Sequence, residues 1–240
     1  MIYFCIPAHN EERTAGVLLW KIRQVMSDFK RDYQVLLLDD ASTDRTGEVV
    51  TPYTQVMPVE ILRNERRAGH GAALERLLRE AVSRSSYPRR DMVITLQADF
   101  TEEPLAIPGM IKRVEGGADL VVAAQPPNGR SAPRAVRWVR RGLPWLERKF
   151  ELPVEISDPI SGLRAYRVGL LKKALKEGEG GRLLSRDGWA GSLELLLAVA
   201  PHARRVEETQ AETRYDRRVR PSRQSLWRAA RDYVGLLRGR

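Results

Sequence analysis

VLLLDDASTDRTGEVV, residues 35–50, is an apolar run of strand character that ends on two adjacent carboxylates, Asp39 and Asp40, then turns into a helix. In an open α/β sheet, ligands bind beyond the carboxyl ends of the strands, so paired acids there face a ligand crevice. The pattern recurs on either side. MIYFCIPAHNEE (1–12) runs a short strand into a turn carrying Pro7, His9, Asn10, Glu11 and Glu12. DMVITLQADFTEEP (91–104) ends a strand on Gln97, Ala98, Asp99 and Thr101. Asp and Asn favour turns and helix caps in any protein. Three strand ends carrying oxygen ligands nevertheless suit a nucleotide and a hard divalent cation.

Outward from these ends, the chain alternates strands with amphipathic helices. The spacing predicts strands near 2–6, 34–39, 58–62, 92–97 and 119–124, and helices near 12–30, 44–54, 70–84 and 103–116. In the first helix Val17, Leu18, Ile22, Val25 and Phe29 make a stripe of helical period. Such alternation implies an α/β fold with a mostly parallel sheet flanked by helices. The 240 residues suit one large domain, or a core with an appendage. The lone cysteine, Cys5, excludes a disulfide within the chain and reads as a buried thiol. No apolar run approaches the ~20 residues that span a bilayer. The expected location is cytoplasmic, or peripheral on the cytoplasmic face of a membrane.

A net charge of +10 is the compositional anomaly. It concentrates in two places. RAVRWVRRGLPWLERKF (134–150) sets Val136, Val139, Leu143, Leu146 and Phe150 against an arginine series, with Trp138 and Trp145. Near the other end Leu226, Trp227, Ala230, Tyr233, Val234 and Leu237 form a stripe among Arg223, Arg228, Arg231 and Arg238. A basic amphipathic helix bearing Trp and Leu can lie in a membrane interface; it can equally be an ordinary docked helix with a solvated face. Paired acids at strand ends do not suit a phosphate backbone, and aromatic-glycine signatures are missing, so nucleic acid is not an expected partner.

The motifs together resemble glycosyltransferase family 2, within it the dolichol-phosphate mannose synthase-like polyprenyl-phosphate glycosyltransferases. IPAHNEE stands where that group has IPAYNEE, and LLDDASTDRTGEVV where it has VDDGSTDGT. RAGHGAALERLLREA matches its GxGxA stretch, and LQADFTEEP its DxD-type metal segment. DPISGLRAYR matches SGFRxY, DGWAGSLELLL matches GF…ELL, and YDRRVRPSR falls at an RxxGxSK-like element. The resemblance implies a GT-A, Rossmann-like nucleotide-sugar-binding domain over 1–215, with acceptor helices within 130–150 and a basic amphipathic helix over 216–240. It places Pro7, His9, Glu11, Asp39 and Asp40 at the donor nucleotide, with Gly69, Gly71, Gln97, Ala98 and Asp158 beside the donor. Asp99, with Gln97, is implied as ligand of Mg²⁺ or Mn²⁺. Arg134, Arg137, Arg217, Ser222 and Arg223 are implied for the acceptor phosphate, and Asp99, Arg137 and Arg164 as the catalytic set. Four positions depart from the group's pattern: His9 for Tyr, Ala41 for Gly, Gln97 for the first acid of DxD, and Arg220 for the glycine of RxxGxSK.

The implied reaction passes a hexose from GDP-mannose or UDP-glucose, with inversion, to a polyprenyl phosphate at an anionic membrane surface. A phosphate oxygen is anionic at neutral pH and needs no strong base. His9, His70 and His202 make no evident pair with an acid. An alternative acceptor is a soluble glycan or small molecule, whose hydroxyl would need a general base such as Asp187 or Glu194. A third reading is a non-catalytic nucleotide-sugar-binding regulator.

Overall fold

The computed structural model describes residues 1–124, 137, 156–178, 181–211 and 231–236. Arg134, Arg217, Ser222 and Arg223 lie outside the described residues, as do nearly all of the predicted helices at 130–150 and 216–240; Arg137 is an exposed helical residue. The elements in order are β1 (Ile2–Ala8), α1 (Ala15–Phe29), β2 (Tyr33–Asp39), α2 (Thr46–Val50), β3 (Val59–Arg63), α3 (His70–Arg84), β4 (Met92–Thr95), α4 (Ile107–Glu115) and β5 (Leu120–Ala124). They continue with β6 (Arg164–Arg167), α5 (Val168–Glu177), α6 (Gly188–Val199) and β7 (Val206–Gln210).

The strands form one sheet in the order β3-β2-β1-β4-β6-β5-β7. All pairings are parallel except those of β6, which runs antiparallel between β4 and β5. The period of two divides the interior. Phe4, Ile6, Leu37, Ile94 and Val121 face α1 and α4 in one core. Tyr3, Cys5, Leu36, Leu38, Val93 and Val122 face α3, α5 and α6 in the other. Cys5 is fully buried, and burial pushes its thiol far above the ordinary range, so it is inert as expected.

Two predicted helices begin or break where local chemistry competes. The helix expected from residue 12 starts at Ala15, because Glu11–Thr14 form a turn. The one expected over 44–54 divides into α2 and a 3₁₀ segment, Thr51–Gln55, with Pro52 at its first positions. Strand β6 had no sequence forecast, since Arg-Ala-Tyr-Arg lacks an apolar alternation.

Residues 231–236 are helical, and Tyr233, 4% exposed, packs in the core that holds α3 and α5, with Leu236 against it. At this turn the C-terminal apolar stripe therefore meets the protein's own interior. No helix among the described residues is long and apolar enough to cross a membrane.

The β1, β2 and β4 ends each carry a non-glycine residue in the left-handed region: Asn10 (φ 53°), Ala41 (φ 55°) and Phe100 (φ 58°). Asn tolerates this conformation; alanine does not, which explains the family's glycine at the position of Ala41. Ala41→Gly is expected to stabilise the protein by roughly 0.5–1 kcal/mol, the left-handed penalty less the extra chain entropy of glycine. Urea unfolding at neutral pH would check it, with loss of stability as the contrary result.

Candidate functional site

The loops after β1 and β2 are joined by side chains bonded to backbone. Asn10 N–H donates to Ser42 Oγ (2.9 Å), and Thr43 N–H to Asn10 Oδ1 (2.7 Å). Glu11 N–H donates to Thr46 Oγ1 (2.7 Å), Glu12 N–H to Asp44 Oδ2 (3.2 Å), and Arg45 N–H to Glu12 Oε2 (3.1 Å). The polar letters of HNEE and STDRT thus recognise each other and hold the ends of two adjacent parallel strands as one rim. His9 completes the joint. Its Nδ1 lies 2.8 Å from the Asp40 carbonyl, which can only accept, so Nδ1 carries the proton.

The acids are buried at this rim. Asp39, 2% exposed, accepts the Ser42 N–H (2.9 Å) and meets Arg63 Nε at 3.7 Å. Arg63 is mostly exposed, a cation beside Asp39 that sequence reasoning passed over. Asp40, 3% exposed, takes three donors: Asn64 Nδ2, Ala68 N–H and Gly69 N–H, at 2.7–2.9 Å. Its oxygens therefore organise the loop before α3. Glu11 is buried and accepts Thr14 Oγ1 at 2.9 Å.

Beyond β4, Asp99 is 4% exposed and accepts both the N–H (3.1 Å) and the hydroxyl (2.6 Å) of Thr101. Gln97 is half-buried two residues before, and its N–H donates to Glu102 Oε2 at 3.1 Å. Glu102 is itself buried. Burial, with Asp99 nearby, pushes its carboxyl up to about 7 against the pull of the Gln97, Gly162 and Leu163 N–H groups. Glu102 looked like an ordinary turn acid in sequence; its position against Gly162, where a Cβ would lie 2.8 Å from Oε1, comes only from the fold.

The glycine turn before α3 meets carboxylates of the chain itself. Gly69 has φ +95°, and Gly71 N–H donates to Asp187 Oδ1 at 2.7 Å. Between them His70 is half-buried, where burial lowers its pKa and the charges of Asp187, Asp99 and Asp40 oppose the shift. His70 thus lies within electrostatic reach of acids on three chain segments, and it was not among the predicted site residues.

One predicted catalytic residue lies away from the surface. Arg164 is 1% exposed, with its guanidinium donating to the Ser192 carbonyl (2.6 Å) and the Pro159 carbonyl. It lines a small pocket together with Gln97 and His70, and ties the turn before β6 to α6. The guanidinium is thus engaged with two carbonyls in the core. Asp158, 2% exposed, lies in the same turn. Pro7 lines the pocket wall, and Ala98 is buried in the core beneath the β4 end.

The family model described as Glycosyl transferase family 2 matches residues 3–175. A dolichol-phosphate mannosyltransferase of Pyrococcus furiosus is 26% identical over 167 residues, 68% of this chain and 45% of that protein. An undecaprenyl-phosphate 4-deoxy-4-formamido-L-arabinose transferase of Pseudomonas aeruginosa is 29% identical over 184 residues, 73% of this chain and 49% of that one. The chain spans about half the length of these curated relatives. Among solved structures, glucosyl-3-phosphoglycerate synthase of Mycobacterium tuberculosis superposes with a TM-score of 0.68 at 19% identity, covering 100% of this chain and 80% of that one. The same enzyme with Mn²⁺, UDP and glucosyl-3-phosphoglycerate gives a TM-score of 0.64 at 19% identity, covering 100% and 79% of the two chains. The expected GT-A architecture is thereby established.

Glu102 gives a prediction with a definite sign. Its pKa is raised from 4.5 to about 7, so the folded protein holds the proton more tightly than the unfolded chain. The stability this contributes is complete below the unfolded value and is lost as pH rises through about 7. Glu102→Gln, neutral throughout, should be less sensitive than the parent between pH 5 and 8 and more stable at pH 8. Parallel Tm-against-pH curves for the two proteins would contradict the assignment.

Proposed function

The chain belongs to glycosyl transferase family 2, and we propose that it is an inverting hexosyltransferase that uses a nucleotide sugar and glycosylates a polyprenyl phosphate. The observation that carries the reading is the buried carboxylate Asp99 at the β4 end, across the switch point of the sheet from Asp39. Asp39 and Arg63 would meet the nucleoside, and the β4 end the diphosphate. The polyprenyl-phosphate names of the sequence relatives support the acceptor class. Mannose from GDP-mannose or glucose from UDP-glucose fits the donor side.

Among the described residues no cluster of three or more His, Cys, Asp or Glu could cage a cation. One buried acid with a neutral amide two residues earlier suits Mg²⁺ or Mn²⁺ of the kind whose shell is completed by substrate phosphates and water. Asp99 and Gln97 would hold it; a bound cation would neutralise charge developing on the departing diphosphate. The remaining work falls to orientation. The acceptor phosphate oxygen needs no proton removed, and Glu194 is accordingly occupied elsewhere, accepting from Ser185 and Arg186. Arg137 and the other arginines of the basic segments would receive the acceptor phosphate and an anionic membrane surface on its cytoplasmic side.

The test is transfer from radiolabelled UDP-glucose and GDP-mannose to polyprenyl phosphate in anionic vesicles, beside soluble glycan acceptors. Asp99→Ala should lower transfer at least about a hundredfold, the loss of several kcal/mol of charge stabilisation. Gln97→Asp should lower the Mn²⁺ concentration needed for half-maximal rate. Efficient transfer to the soluble acceptor alone would replace the lipid reading. Wild-type rates in Asp99→Ala would remove the β4 end from the site.

A further inference from the structure

Residues 183–186 present four consecutive backbone N–H groups to two carboxylates from different helices. Leu183 and Leu184 donate to Glu75 Oε2 of α3 at 2.9 and 2.8 Å. Ser185 and Arg186 donate to Glu194 Oε2 of α6 at 2.8 and 3.0 Å, and the Ser185 hydroxyl reaches Glu194 Oε1 at 2.6 Å. Arg79 braces the first acid, donating to Glu75 Oε1 at 2.7 Å and to the Gly181 carbonyl. Burial alone would raise the Glu75 pKa, but the Leu184 and Leu183 amides and Arg79 outweigh it and lower the value.

Steric fit matches the polar fit. A Cβ on Gly71 would stand 2.2 Å from the Arg186 carbonyl oxygen, and one on Gly191 2.5 Å from it. That carbonyl is therefore wedged between the starts of α3 and α6, which only two glycines allow. The next residue is Asp187, whose Oδ1 accepts the Gly71 N–H and whose carboxylate lies about where a Gly69 Cβ would crowd it, at 3.0 Å. Asp187 also acts electrostatically on His70 from this position.

Two adjacent amides share Glu75 Oε2 and the next two share Glu194 Oε2, so two carboxylates hold the path of the strap. We propose that Glu75 and Glu194 are positioning residues of the donor crevice: they lock residues 183–187 so that Asp187 holds the Gly69–Gly71 turn, and with it His70, against the β1 and β4 ends. The inference rests on the donor reading above for its functional half. It also gives Glu194 a role other than general base.

The experiment uses the full chain with Glu75→Ala, Glu194→Ala and Glu194→Gln, reading amide hydrogen exchange together with KM and kcat for UDP-glucose and GDP-mannose. Glu194→Ala should speed exchange at Ser185 and Arg186 and then at Gly71. It should raise KM for the sugar nucleotide on the order of tenfold, with a smaller effect on kcat. Glu194→Gln keeps an acceptor oxygen and should recover most of the loss. Glu75 is buried, so if Glu75→Ala fails to fold, the half-buried Glu194 pair carries the test. Protected 183–186 amides in Glu194→Ala, or faster exchange there with unchanged KM and kcat, would overturn the proposal. If the parent chain turns over no sugar nucleotide, the donor reading falls instead. The exchange pattern then still judges the clamp, which fails if those amides stay protected.

Discussion

Backbone N–H groups turned onto buried carboxylates are the interaction on which this structure depends. Asp39, Asp40, Asp99 and Glu102 are all buried at the ends of β2 and β4, the two strands that flank β1. Burying acidic groups is expensive unless each is hydrogen-bonded. The chain supplies the donors from its own loops: Ser42 to Asp39, Ala68 and Gly69 to Asp40, Thr101 to Asp99, Gln97 to Glu102. Turning a backbone that sharply after a strand requires unusual dihedrals, and the left-handed residues Asn10, Ala41 and Phe100 sit at these bends. Local strain at the rim and the negative potential of the crevice thus have one origin.

On the proposed reading, that potential would select the kind of ligand. A bare anion would be repelled, whereas a cation, or a diphosphate carrying one, gains from it. Exposed cations stand outside the rim, with Arg63 beside Asp39, and the core cation Arg164 stands below. A crevice of acids bordered by arginines fits a metal-bearing sugar nucleotide better than either charge sign alone would. The strap carrying Asp187 closes the same ring from the far side, so residues more than a hundred positions apart share one hydrogen-bonded rim.

The first half of the fold was legible in the sequence because its signals are local. Apolar strands ending in acids, and helices of clear period, located β1 to β5 within a few residues. Asp39, Asp40 and Asp99 could be placed at strand ends because parallel sheets bring those ends together whatever the loops do. What escaped depends on long-range packing. Arg164 was implied for the catalytic set, while its burial escaped the sequence: strand β6 inserts between β4 and β5 and carries it into the core. Glu75 drew no reading in sequence and Glu194 stood as a candidate general base; that both hold residues 183–186 comes only from the fold. His70 was read in sequence as a histidine with no evident acid partner; the fold places it within electrostatic reach of Asp187, Asp99 and Asp40.

The central claim is that the buried acid at the β4 end and the rim of β2 together receive a metal-bearing sugar nucleotide. A crystal structure of the protein grown with UDP-glucose or GDP-mannose and Mn²⁺, with data collected for manganese anomalous scattering, tests it most directly. The account predicts a manganese peak coordinated by Asp99 and the donor diphosphate, with the nucleoside against Asp39. Nucleotide seated away from these strand ends, or manganese bound without Asp99, would contradict it.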